Sequence, residues 1–208
     1  LEVSIFNHLT EKPWAVTEGG DAPLNDGGGL SMATEKVGLL VFLSAITVLF
    51  TLLIISYNGR ALLLGDWVSM PDPWLLWVNT GVLILSSVAF QRTRRAVRRG
   101  QIDGVRTGLL VSGGLAFAFL AGQLIASYQL VGLGYYAWSN PANAFFYLLA
   151  GLHAVHLIGG LVAWGRTMFK IRRGYSAAQV FMSIELCAMY WHFLLFIWLI
   201  LFTMMLVM

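Results

Sequence analysis

Three observations in this 208-residue chain predict an all-α, polytopic membrane bundle of five transmembrane helices. Five apolar stretches each approach the ~20 residues needed to cross ~30 Å of hydrocarbon. The basic residues between those stretches fall almost entirely on one side. A composition of 58% hydrophobic and 11% charged residues leaves too little polar surface to cover a soluble domain of this length.

Residues 1–35 read as a polar cytoplasmic N-terminal arm, with six acidic residues, three glycines at Gly27–Gly29 and no apolar run long enough for a signal peptide. Phe6, Pro13 and Trp14 are candidate anchors to a neighbouring subunit, against the plainer reading of a tethered linker. The absence of an initiator methionine is read as processing of the N-terminus. Residues 36–208 form the five-helix domain, with spans expected at Gly38–Tyr57, Trp74–Phe90, Gly108–Tyr128, Ala144–Trp164 and Val180–Met205. Met70-Pro71-Asp72-Pro73 keeps the start of the second span non-helical, and Trp74 and Trp77 then fall in an interfacial aromatic belt. The uncharged Gln129–Asn143 connection, with Tyr135, Tyr136, Trp138 and Pro141, suits an external interface. Ser176 followed by Gln179 has the signature of a capping box opening the fifth helix.

Of the 13 Lys and Arg, six (Arg92, Arg94, Arg95, Arg98, Arg99, Arg106) separate spans two and three. Four more (Arg166, Lys170, Arg172, Arg173) separate spans four and five, and Lys12 and Lys36 precede the first span. Only Arg60 takes the other face, which predicts a cytoplasmic N-terminus and a periplasmic C-terminus in a bacterial inner membrane. The formal charge of +3 then belongs to short connections facing anionic headgroups, and no nucleic-acid partner is expected. Arg92 and Arg95, with Trp74 and Trp77, are the candidate lipid contacts. The single cysteine, Cys187, excludes an intrachain disulfide. Gly114, Ala118, Gly122 and Ala126 in span three, and Gly151, Val155, Gly159 and Gly160 in span four, make small-residue stripes expected to pack within the bundle.

Polar side chains inside the spans carry the functional information, because an unpartnered polar group in lipid costs several kcal/mol. They are Asn79, Gln123, His153, His156, Glu185 and His192. Counted from the expected helix ends, Asn79, His156 and Glu185 share a layer about 15 Å deep, with Gln123 and His192 about 10 Å beyond. Histidines on membrane helices can ligate haem, and a Glu near His can bind a metal or relay protons. The favoured reading is a hydrogen-bonded clamp in which Glu185 accepts from His156, since two histidines on one helix cannot face each other across a haem and there is no second carboxylate. No catalytic, cofactor-binding or metal residue is assigned, and no triad, P-loop or zinc pattern is present.

Gly151-Leu152-His153-Ala154-Val155-His156 with Gly159-Gly160, then Glu185 ahead of Tyr190-Trp191-His192-Phe193 with Trp198 beyond, resembles the last two helices of haem-copper oxidase subunit III. Asn143-Ala144-Phe145-Phe146 and the Gln123-to-Tyr128 stretch align in character, so the resemblance runs from Lys36 to Met208 and is to the short, five-helix bacterial form. It implies a subunit without its own redox cofactor in a proton-pumping, cytochrome c oxidase type complex. Haem and copper would sit in partner subunits I and II, subunit I being the main contact, with cytochrome c or a supercomplex as further partners. Stabilising the catalytic subunit, holding structural phospholipid among the membrane lipids and assisting proton uptake or oxygen access are the roles it implies. Family carboxylates are replaced here by Asn79, Ala45 and Leu195. A related component of a quinol oxidase or nitric oxide reductase, or a haem-binding membrane anchor of a different class, stays open at this point.

Overall fold

The computed structural model describes residues 34–63 and 74–207. The acidic arm with Phe6, Pro13 and Trp14, and the Met70–Pro73 segment, lie outside the described residues. Hydrocarbon offers no water to an unpaired backbone, so each span closes its own hydrogen bonds as a helix. The described residues form five: α1 (Thr34–Leu63), α2 (Trp74–Arg98), α3 (Ile102–Gly132), α4 (Pro141–Arg172) and α5 (Ala177–Val207). All five are long and apolar enough to cross a membrane, which makes the chain a multi-pass membrane protein.

The helices outrun the expected spans. Their 25 to 32 residues correspond to about 38–48 Å against ~30 Å of hydrocarbon. An apolar window measures the bilayer, whereas the helix continues through residues such as Arg94, Arg95, Ala96 and Arg98, which favour helix as well. Three of the ends share one device. Gly100, Gly134 and Gly174 have φ of 69°, 90° and 83°, and the amide after each donates to a carbonyl five residues back, as in Gln101 N to Ala96 O at 3.1 Å. That is a Schellman stop, and its left-handed residue is glycine for want of a Cβ. At the start of α4, Asn140 accepts from the Ala142 amide at 2.9 Å with Pro141 in the first turn. At the start of α5, Gln179 reaches back to the Ser176 amide at 2.9 Å, the returning half of the expected capping box.

Packing follows heptads. Buried positions of α2 run Leu76, Asn79/Thr80, Leu83, Ser86/Ser87, Phe90, Thr93 and Val97, and those of α3 run Val105, Leu109, Ser112/Gly113, Ala116, Phe119, Gly122/Gln123, Ala126 and Leu130. Spacings of three and four in alternation keep one stripe of each helix facing its antiparallel neighbour. α5 packs on the other side of α2 and against α4, while α1 leans on α4 and α5. Trp191 and Trp198 of α5 fill the interior, their rings 4.8 Å from Phe90 and 5.0 Å from Phe119. Large apolar side chains such as Val41, Leu52, Leu124 and Val155 point outward, the arrangement a lipid solvent permits.

The small-residue stripes follow a different register from the one expected. Gly122 and Ala126 are buried, but Gly114 and Ala118 are exposed, because steps of four residues drift about 40° each around a helix. In α4, Gly151, Val155 and Gly159 are exposed and Gly160 alone lies buried, under Tyr190 and Trp191. Close approaches in α3 are made by three glycines, where an added Cβ would run into Thr93 at Gly108, Asn79 at Gly122 and the Trp164 ring at Gly113. That ring cannot swing aside freely, since its Nε1–H donates to the Leu109 carbonyl at 2.9 Å. Gly113→Ala should therefore lower stability by about 1–3 kcal/mol, while Gly114→Ala, with nothing within 4 Å of the new methyl, should be neutral; thermal unfolding of the two variants in detergent checks the contrast.

Candidate functional site

Apart from His153 and His156, the expected inward polar side chains make bonds between helices, strung along α2. At its arginine-rich end, Glu185 of α5 receives Arg98 Nη2 at 2.7 Å, Arg94 Nη2 at 3.1 Å and Arg94 Nε at 3.3 Å on one carboxylate oxygen. Lys36 of α1 holds the other oxygen at 3.2 Å. Three helices thus meet on one carboxylate, and three cations against one anion leave local positive charge at this end. Next along α2, His192 of α5 bonds Ser87 through Nδ1 and lies 3.2 Å from Gln91 through Nε2. Trp191 Nε1 then donates to Ser86 Oγ at 2.9 Å, and the Ser86 hydroxyl donates in turn to the Ser112 carbonyl of α3 at 2.8 Å. Trp198 Nε1 donates to Thr80 Oγ1 at 3.0 Å. Asn79 closes the series against α3, donating to Gln123 Oε1 at 3.0 Å.

These contacts revise the expected clamp. Glu185 pairs with Arg94, Arg98 and Lys36, not with His156. The His156 Nδ1 instead bonds the Leu152 carbonyl of its own helix at 2.7 Å, its ring lies 5.6 Å from Phe50, and its carbonyl accepts from Tyr190. His153 is fully buried, 5.9 Å from Phe119 and 5.1 Å from Trp198, and neither ring nitrogen has a partner among the described residues. The layer assignment also shifts: Asn79 and Gln123, expected at different depths, bond each other. Asn79 stands 19 residues before the end of α2 and Gln123 stands 21 after the start of α3, so counting from the true ends brings their depths within about 3 Å of each other.

Of the remaining candidates, Trp74 and Trp77 are exposed at the far end of α2, with Trp77 edge-on to Phe202 at 4.9 Å. Arg92 and Arg95 are exposed at the arginine-rich end, and Arg92 borders a groove between α2 and α3. Lys36, Arg94, Arg98, Gln91, Ser86, Ser87 and Thr80 were not among the expected site residues. A signal for several of them existed, since the α2 heptad that holds Thr80, Ser87 and Phe90 continues to Arg94. His192 bonds across to α2 while His153 and His156 lie three residues apart on α4, and among the described residues no three or more His, Cys, Asp or Glu side chains come together. The bonds that form here link one helix to another.

Over residues 31–208 the chain matches the family described as cytochrome c oxidase subunit III. It is 30% identical over 176 residues to the cytochrome c oxidase subunit 3 of Thermostichus vulcanus, covering 81% of this chain and 85% of the relative. It is 33% identical over 178 residues to the probable cytochrome c oxidase subunit 3 of Mycobacterium tuberculosis, at the same coverage. The probable cytochrome c oxidase subunit 3 of Nocardia farcinica is 30% identical over 173 residues, again 81% of this chain and 85% of the relative.

Glu185→Gln keeps the shape of the hub and removes its charge. The expected loss is about 1–2 kcal/mol, less than for a deeply buried pair because the side chains of Arg94 and Arg98 are 34% and 54% exposed and screened by solvent. Arg98→Gln added to it should cost less than the two single losses together, whereas a Glu185/His156 double-mutant cycle should show coupling below about 0.5 kcal/mol. Denaturation of the three single and two double variants in mixed micelles reads both cycles.

Proposed function

The chain belongs to the cytochrome c oxidase subunit III family, and from that premise we propose that it is a non-catalytic subunit of a proton-pumping, O2-reducing terminal oxidase in a bacterial inner membrane. It packs chiefly on the catalytic subunit I, with subunit II and then cytochrome c or a supercomplex as further neighbours, and the haem and copper centres reside in those partners. Its own work is to stabilise the catalytic subunit and to hold structural phospholipid. The arginine-rich end faces the cytoplasm, consistent with the tendency of Lys and Arg to stay inside.

The observation that carries this reading is the engagement of the inward polar groups. Glu185, His192, Asn79 and Gln123 are each bonded to another helix. A proton relay needs titratable groups in series, and the pair in mid-bundle is carboxamide to carboxamide, neither of which takes up a proton near neutral pH. Two further positions where the family resemblance implies an acid are occupied by Ala45, exposed on α1, and the apolar Leu195. Support for lipid holding comes from anchors at both interfaces: exposed Trp74 and Trp77 at one end, Arg92 and Arg95 at the other.

An oxidase depleted of this chain should keep its haem absorption spectrum and begin turnover at a near-normal rate, then lose activity and phospholipid faster than the intact complex. Immediate loss of haem signal would overturn the reading. For orientation, in a Cys187→Ser background, Arg60→Cys should react with an impermeant maleimide in intact cells and Arg99→Cys only after permeabilisation; the reverse pattern would invert the topology.

A further inference from the structure

α2 and α3 are the most intimately packed pair, with Gly108 against Thr93 and Gly104 against Ala96 at the arginine-rich end, and there a groove of about 640 Å³ runs along the exposed side of their seam. Its two ends differ in chemistry. Toward mid-membrane it is lined by Leu85 and Val88 of α2 and by Val111 and Leu115 of α3, whereas its mouth carries Arg92, Asp103 and Thr107. Gly104 and Gly108 contribute no side chain to its floor. An apolar trough ending in a charged mouth at an interface fits an amphiphile lying along the helices.

The mouth specifies the headgroup. Arg92 and Asp103 have opposite charge and share the groove, but among the described residues neither is in an ion pair or side-chain hydrogen bond. Of the other cations at this end, Arg94 and Arg98 are committed to Glu185, and Arg95, Arg99 and Arg106 do not line the groove. Arg92 lies six residues before the end of α2 and Thr107 five after the start of α3. Both are thus about 8–9 Å into their helices, while Asp103, one residue into α3, is only about 2 Å in. From the interior outward the order is acyl-sized apolar trough, cation with hydroxyl, then carboxylate. A phospholipid with a primary amine presents the complementary order: acyl chains, phosphate, ammonium. A phosphate accepts from guanidinium and hydroxyl, and an ammonium donates to a carboxylate through charge-assisted bonds. A quaternary amine has no N–H to donate, and an anionic headgroup would meet Asp103 with like charge.

We propose that this groove binds one phospholipid of the phosphatidylethanolamine class, with its phosphate on Arg92 and Thr107 and its ammonium on Asp103. The assignment rests on the lipid-holding role proposed above and supplies that role with a site and a headgroup.

The test uses the oxidase complex containing the full chain, equilibrated in nanodiscs of equal phosphatidylethanolamine and phosphatidylglycerol, released into mild detergent and weighed by native mass spectrometry. Wild type should retain phosphatidylethanolamine preferentially. Asp103→Lys should shift the retained ratio toward phosphatidylglycerol by about tenfold or more, and Arg92→Gln should lower retention of both. Arg106→Gln, exposed at the same end but outside the groove, should change neither. Leu115→Trp, which fills the trough, should release lipid while all subunits stay bound. A ratio unmoved by Asp103→Lys, or an equal effect from Arg106→Gln, overturns the site while leaving lipid holding intact. Loss of a partner subunit in place of lipid from Leu115→Trp also overturns it and gives the groove to a protein helix. Wild-type complex that retains no lipid at all would remove the lipid-holding role and this site together.

Discussion

Inside a bilayer an unsatisfied polar group has no solvent to fall back on, and helices gain no hydrophobic energy by leaving lipid for one another. The bundle therefore depends on the polar ladder that α2 offers to α5. Its partners descend along α2 from Arg98 and Arg94 through Gln91, Ser87 and Ser86 to Thr80, while on α5 they ascend from Glu185 through Trp191 and His192 to Trp198. Antiparallel register is thereby set at several heights at once, and a slip of one residue would strand every rung. The α3 helix joins the same spine through Ser112 and Gln123.

The rungs are mostly short hydroxyls on α2 facing long aromatics on α5. That asymmetry has a packing reason. Ser86, Ser87 and Thr80 leave room for the indoles of Trp191 and Trp198, whose N–H groups need an acceptor when buried. Size complementarity and hydrogen-bond complementarity are met by the same residue pairs. In α3 and α4 the same logic appears once more, with Trp164 lying over Gly113 and donating to the Leu109 carbonyl.

Much of this was legible in the sequence and some was not, for identifiable reasons. The five spans, the one-sided arginines and the cap at Ser176 follow from composition and local chemistry. The Glu185 to His156 pairing did not hold, because depth was counted from apolar windows that stop short of the helix ends. Arg94 and Arg98 lay beyond the window and read as loop charges, although long basic side chains reach back along a helix to a buried carboxylate with ease. The Gly114 and Ala118 stripe misled through its period: four-residue steps look regular in sequence and rotate away from the seam in space. Only partner geometry could have joined Lys36 to a carboxylate about 150 residues downstream.

The ladder also bears on the order in which the chain is made. α2 is the least apolar of the five helices and carries its hydroxyls, carboxamides and arginines toward a partner that the ribosome synthesises last. α3 can cover one side of α2 as soon as the hairpin forms, but the other side stays uncovered in the membrane until α5 emerges. Until then those side chains lack their α5 partners in a medium that offers no water in exchange. Completion of the polar ladder thus waits on the arrival of the last helix.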